Sequence, residues 1–105
     1  MLVEQRTYTV KAGMAPAYLR LYEAKGLEVQ ASYLGRPVGY YSSEIGALNQ
    51  IIHMWAYQDM EDRRVRRERL FADPEWRSVV TEFYEMIVSM ETKILLPAPF
   101  FAIDR

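Results

Sequence analysis

The chain is expected to fold as an α+β domain on the ferredoxin-like βαββαβ plan, with one antiparallel four-stranded sheet covered by helices on one face. Two observations predict this. Strand-like runs occupy residues 1–10, 38–45, 49–58 and 90–96, and the stretches between them carry apolar residues spaced by threes and fours. Glycine, proline and aspartate punctuate the joins, where turns and helix starts need them.

Met1 to Val10 alternates as a strand, with Glu4, Arg6 and Tyr8 on one face and Val3, Gln5 and Thr7 on the other. Lys11-Ala12-Gly13 turns the chain, and Pro16 suits a first helical turn because its missing N–H would be unpaired there. Ala15, Leu19, Tyr22, Gly26, Val29 and Tyr33 then form the buried stripe of a helix. Gly26 lowers helix propensity by about 1 kcal/mol relative to Ala, which close approach of the backbone to a sheet would offset. Gly35-Arg36-Pro37 ends the unit.

Val38–Ile45 and Asn49–Gln58 read as two strands joined by a reversal at Gly46-Ala47, where Gly46 supplies positive φ. Asp59 is an N-cap, with Asp62 in the first turn of a helix running to about Phe71. Asp73-Pro74-Glu75 starts a second helix, whose stripe is Trp76, Val80, Phe83 and Ile87. Met90–Leu96 is the last strand, bounded by Pro97 and Pro99. Residues 1–105 form a single domain with an apolar, Pro-containing tail from about residue 97. No repeats, linkers or low-complexity tracts interrupt it.

Composition excludes several classes. Half of the 105 residues are hydrophobic and 13% are aromatic, too many for a disordered chain. No apolar run approaches the roughly 20 residues that span a bilayer, so no membrane association is expected. A net charge of −1 argues against a nucleic-acid partner. Cysteine is absent, which removes disulfides, thiolate nucleophiles and zinc–thiolate sites. Without a signal-like N-terminus, a cytoplasmic location is expected. Both faces of the central strand are apolar or aromatic: Ile52, Met54 and Ala56 on one, Ile51, Trp55 and Tyr57 with His53 on the other. A half-exposed sheet would not place such residues in water, so a second copy of the chain should cover the face the helices leave open.

Several segments together resemble the NIPSNAP family, over most of the chain. They are Glu4-Gln5-Arg6-Thr7-Tyr8-Thr9, then Ser43-Glu44-Ile45-Gly46 through Asn49-Gln50, His53 and Trp55-Ala56-Tyr57. Asp62-Arg63 with its Arg-rich helix and Asp73-Pro74-Glu75-Trp76 complete the set. The resemblance implies a dimeric α/β barrel, in which two sheets pack face to face around a cavity. Relatives of that architecture include cofactor-independent monooxygenases, haem-handling enzymes and isomerases. A reaction does not transfer with a fold, and the resemblance brings no catalytic residue set.

Within such a cavity the candidate catalytic residues are His53, Arg6, Glu4 and Tyr8, with Tyr40, Glu44, Trp55 and Tyr57 as cavity lining. His53, the only histidine, can serve as a proton shuttle or a single axial haem ligand, or be a buried imidazole bonded to a neighbouring strand. One histidine without further ligands makes no metal site, and no cofactor is expected. Arg6 beside Glu4 can anchor a carboxylate or enolate, or these two can form an ion pair that fixes strand register between subunits. The aromatic group can be a ligand cage or simply core. On this reading His53, Trp55, Tyr57, Glu4, Arg6 and Tyr8 face the dimer cavity and the smaller Ile52, Met54 and Ala56 lie under the helices, which leaves Gln5 awkwardly placed. Arg63, Arg64, Arg66, Arg67 and Arg69 read as a solvated face paired through Glu61–Arg64 and Asp62–Arg66.

The expected function is therefore that of a small homodimeric NIPSNAP-like protein binding a small, partly apolar molecule between its sheets. The alternatives are a cofactor-independent monooxygenase or isomerase of dimeric barrel type, and a non-catalytic interaction or assembly module.

Overall fold

In the computed structural model, which describes residues 1–103, alternation and helical spacing resolve into the expected order. Strand β1 (Leu2–Val10) is followed by helix α1 (Ala15–Leu21), a π-helical turn (Tyr22–Gly26) and helix α2 (Leu27–Leu34). Strands β2 (Gly39–Ser42) and β3 (Gln50–Tyr57) come next, then helices α3 (Met60–Ala72) and α4 (Pro74–Met86) and strand β4 (Ile87–Leu95). The sheet order is β2-β3-β1-β4 and every pairing is antiparallel.

The helix starts form as their residues dictate. The Asp59 carboxylate accepts from the Asp62 backbone N–H at 2.7 Å, and Asp73 accepts from that of Glu75 at 2.8 Å. Gly46 takes φ 106° in the β2–β3 loop. That loop consumes residues 43–49, so β2 is shorter than the expected 38–45 run. At the other end β4 begins at Ile87, earlier than expected, because the chain leaves α4 directly into extended backbone.

The first helical stretch departs from a regular stripe. The π turn inserts extra backbone, so the buried positions shift from Tyr18 and Tyr22 to Val29, Gln30 and Leu34. Gly26 lies in this turn, and a Cβ there would stand 2.8 Å from Tyr22 Cδ1 and 2.9 Å from Phe83 Cζ. The close approach is thus to α4 and to the ring of Tyr22, not to the sheet.

All three helical segments cover one face of the sheet. Under them lie Leu2, Glu4, Tyr8 and Val10 of β1 and Ile51, His53, Trp55 and Tyr57 of β3, all buried. This corrects the face assigned from sequence: Glu4, Arg6, Tyr8, His53, Trp55 and Tyr57 face the helices, not the open side. The physical reason is volume. Tyr18, Tyr22, Trp76 and Phe83 hold the helices far enough off to require large side chains from the sheet, and Arg63 of α3 supplies Glu4 with a counter-charge. Gln5 falls on the other face, which removes the awkward burial.

The open face carries Val3, Gln5, Thr7, Ile52 and Met54. The tail stays beside it, and an apolar groove of about 360 Å³ lies between Val3, Val38, Met54, Leu95, Phe101 and Ile103. Strand β4 is an exposed edge over most of its length, and Phe100 and Phe101 remain largely exposed. No helix among the described residues is long and apolar enough to cross a membrane.

Candidate functional site

One rung of the sheet sets the site. Tyr40 of β2, His53 of β3, Arg6 of β1 and Thr92 of β4 stand directly opposite one another, all on the face beneath the helices. Alternation then places Glu4 and Tyr8 two residues to either side of Arg6 on that face.

Glu4 is fully buried and satisfied. Arg63 donates to it in bidentate fashion, Nε to Oε1 at 3.0 Å and Nη2 to Oε2 at 2.8 Å. Arg6 Nη1 adds a bond at 3.0 Å and Thr92 Oγ1 one at 2.6 Å. Burial opposes its ionisation, but these donors and the charges of Arg63 and Arg6 outweigh it and hold the carboxyl at about 2. A carboxylate committed to three side chains cannot also orient a substrate. Arg6 is likewise engaged, its Nε donating to the Tyr8 hydroxyl at 2.8 Å.

His53 is 1% exposed. The Trp55 indole N–H, which can only donate, lies 2.7 Å from its Nδ1. Nδ1 is therefore an acceptor, and the proton of the neutral ring resides on Nε2. Burial, reinforced by the Arg6 charge, pushes the imidazole down to about 3, so it is neutral at ordinary pH. Its Nε2 is buried and has no hydrogen-bond partner among the described residues. The ring is clamped by aromatics: Tyr40 stacks on it at 4.9 Å and Tyr8 meets it edge-on at 4.8 Å. Tyr22 stacks in turn on Tyr40 at 4.7 Å, and its hydroxyl donates to Gln30 Oε1 at 2.6 Å. Burial raises the phenols of Tyr18, Tyr22 and Tyr40, with the nearby Tyr8 adding to it in each, so all three stay protonated.

These groups line a small cavity of about 30 Å³ between helices and sheet, bounded also by Arg67, Phe71, Tyr84 and Met90. Of the residues expected at the site, Arg6, Tyr8, Tyr40 and His53 meet here. Glu4 sits behind them. Trp55 holds His53 without lining the cavity, and Tyr57 is buried core whose hydroxyl has no partner among the described residues. Glu44 is exposed in the β2–β3 loop, away from the cavity, because the strand ends before reaching it. Metal-binding groups of three or more His, Asp or Glu do not occur among the described residues.

Sequence reasoning missed Arg67, Arg63, Gln30 and Thr92. Glu61–Arg64 and Asp62–Arg66 do form solvent-side pairs, at 2.6 and 2.8 Å. Arg63, Arg67 and Leu70 instead turn inward, a spacing of four and three that marks one helix face. That spacing was the available signal. Gln30 offered none, since the π turn brings it into the buried set.

Fold and site together define a ferredoxin-like α+β domain with an aromatic, guanidinium-bearing cavity beneath its helices. The chain belongs to the NIPSNAP family, whose model matches residues 3–102. A NIPSNAP family protein with unknown function from Agrobacterium tumefaciens superposes with a TM-score of 0.95 at 46% identity, covering 99% of this chain and 94% of that one. A NipSnap homolog from Dictyostelium discoideum is 33% identical over 94 residues, which are 90% of this chain but 41% of the relative. The chain thus spans about two-fifths of that curated relative's length. An antibiotic biosynthesis monooxygenase is 12% identical with a TM-score of 0.65, covering 94% of this chain and 100% of that one, a likeness of fold alone.

Proposed function

We propose that this NIPSNAP domain binds a small, partly apolar molecule, and that the site is the helix–sheet cavity rather than a space between two sheets. The observation that carries this reading is the His53 Nε2–H, a donor buried beside a cavity with no partner among the described residues. A buried, unmade hydrogen bond disfavours the fold by roughly 1–3 kcal/mol, so such a donor in a cavity points to a ligand or water oxygen that accepts from it. In an enzyme of isomerase or cofactor-independent monooxygenase type, His53 would polarise a carbonyl or enolate oxygen as a neutral donor. It would not act as a base, since Nδ1 is occupied and Nε2 carries the proton. A single histidine makes the test direct. Titration with acetamide and phenol, both neutral with accepting oxygens, should shift the His53 ring 15N signal of Nε2 saturably. No shift with either would leave a sealed polar core. The completely satisfied Glu4 cluster would then favour the non-catalytic assembly module.

We also propose that the protein is a homodimer joined through the open sheet face. Ile52, Met54 and the groove edged by Val3, Leu95 and Phe101 would otherwise remain an apolar patch in water. Light scattering at micromolar concentration should return twice the 12.3 kDa chain mass or a multiple of it. Met54→Glu, which buries a charge in that contact, should shift the mass towards a single chain. A stable wild-type monomer under the same conditions would rule the dimer out.

A further inference from the structure

Arg67 lines the cavity as a partly buried cation, with Glu4 acting on it only from beyond ion-pair distance. Its guanidinium lies 5.5 Å from the Phe71 ring centroid, and no carboxylate among the described residues pairs with it. Glu4 is already matched by two guanidiniums, those of Arg6 and Arg63, and the residues lining the cavity include no acid. Of the polar groups lining this space, the Arg67 guanidinium and the His53 Nε2–H are donors, and His53 Nε2 has no acceptor among the described residues, whereas the Tyr22 proton is already given to Gln30 Oε1. A partly buried cation beside a second one is unfavourable unless an anion joins them.

We propose that the cavity is a carboxylate-binding site for a small organic acid, with Arg67 supplying the charge and the His53 Nε2–H the directional hydrogen bond. This rests on the reading of the cavity as a ligand site. Size selects the head group. About 30 Å³ corresponds to two or three waters at roughly 10–15 Å³ each, enough for a planar carboxylate and tight for the four oxygens of a phosphate. The acid's apolar part would lie along Phe71, Tyr84 and Met90, cavity-lining residues of which the last two are exposed. Arg67 is thus separated in role from its neighbour Arg66, which is held by Asp62 at 2.8 Å and by the Tyr33 carbonyl at 3.1 Å.

The test compares sodium butyrate with butyramide, its neutral counterpart, at constant ionic strength, reading tryptophan fluorescence and the His53 ring 15N signals. Butyrate should bind saturably and at least roughly tenfold more tightly than butyramide, as a charge-assisted bond requires. Arg67→Met should lose that advantage, Arg67→Lys should restore part of it, and Arg66→Met should leave it intact. Equal binding of acid and amide would overturn the carboxylate assignment while the ligand site stood. Binding of neither would overturn both. Inorganic phosphate binding more tightly than butyrate would overturn the choice of head group, and undiminished butyrate binding by a folded Arg67→Met protein would overturn the role of Arg67. Should that variant not fold, the acid–amide comparison on the wild-type protein decides the matter.

Discussion

Glu4→Gln is expected to destabilise the domain by about 3–5 kcal/mol, among the largest effects of any single substitution here. The glutamine fits the same space but leaves the Arg6 and Arg63 guanidiniums with no buried anion between them. Denaturant unfolding at pH 7 measures this directly, and a loss below about 1 kcal/mol would mean that the cluster is hydrated rather than dry. The same burial predicts acid sensitivity. The folded value of His53, about 3, lies below the ordinary 6.5. The unfolded chain therefore binds the extra proton as pH falls through 6.5, and stability declines by about 1.4 kcal/mol per pH unit. The Glu4 carboxyl, held at about 2 against an ordinary 4.5, adds its own loss only below about pH 4.5. Between pH 6.5 and 4.5 the slope should thus belong to His53, and His53→Asn should flatten it. A wild-type stability that stays level across that window would contradict a neutral, buried imidazole.

Trp76→Ala is expected to cost about 3–5 kcal/mol, enough to unfold many domains of this size. Trp76 is 5% exposed and meets Phe71 edge-on at 6.3 Å and Phe83 at 6.0 Å, so it joins α3 to α4 above the sheet. Its indole N–H has no partner among the described residues, which leaves packing as the whole of its contribution. Removing it would enlarge the cavity next to Val80 and Phe83 and loosen the aromatic layer that clamps His53. Arg66→Ala, on the outer face of α3, should cost about 1 kcal/mol or less. Equal losses for the two, measured by thermal or denaturant unfolding, would show that the helix faces are assigned the wrong way round.

What could be read from the sequence was local. Asp59 and Asp73 start their helices because a short carboxylate satisfies first-turn N–H groups wherever it stands. Alternation fixed which residues of β1 and β3 share a face, since period two is a property of the backbone. It thereby grouped Glu4, Arg6 and Tyr8, and separately His53, Trp55 and Tyr57, and assigning both groups to one side of the sheet brought them together. The same chemistry could not say which face meets the helices, because that depends on the thickness of the layer the helices leave. Tyr18, Tyr22, Trp76 and Phe83 set that thickness only once packed, and they admit Trp55 and His53 where smaller side chains were expected. Tertiary structure alone also turned Arg63 inward to Glu4, moved Gln30 into the core through the π turn, and left Glu44 in a loop. Charge on a helix is indifferent to direction until a buried partner exists, and Glu4, 59 residues earlier in the chain, is that partner.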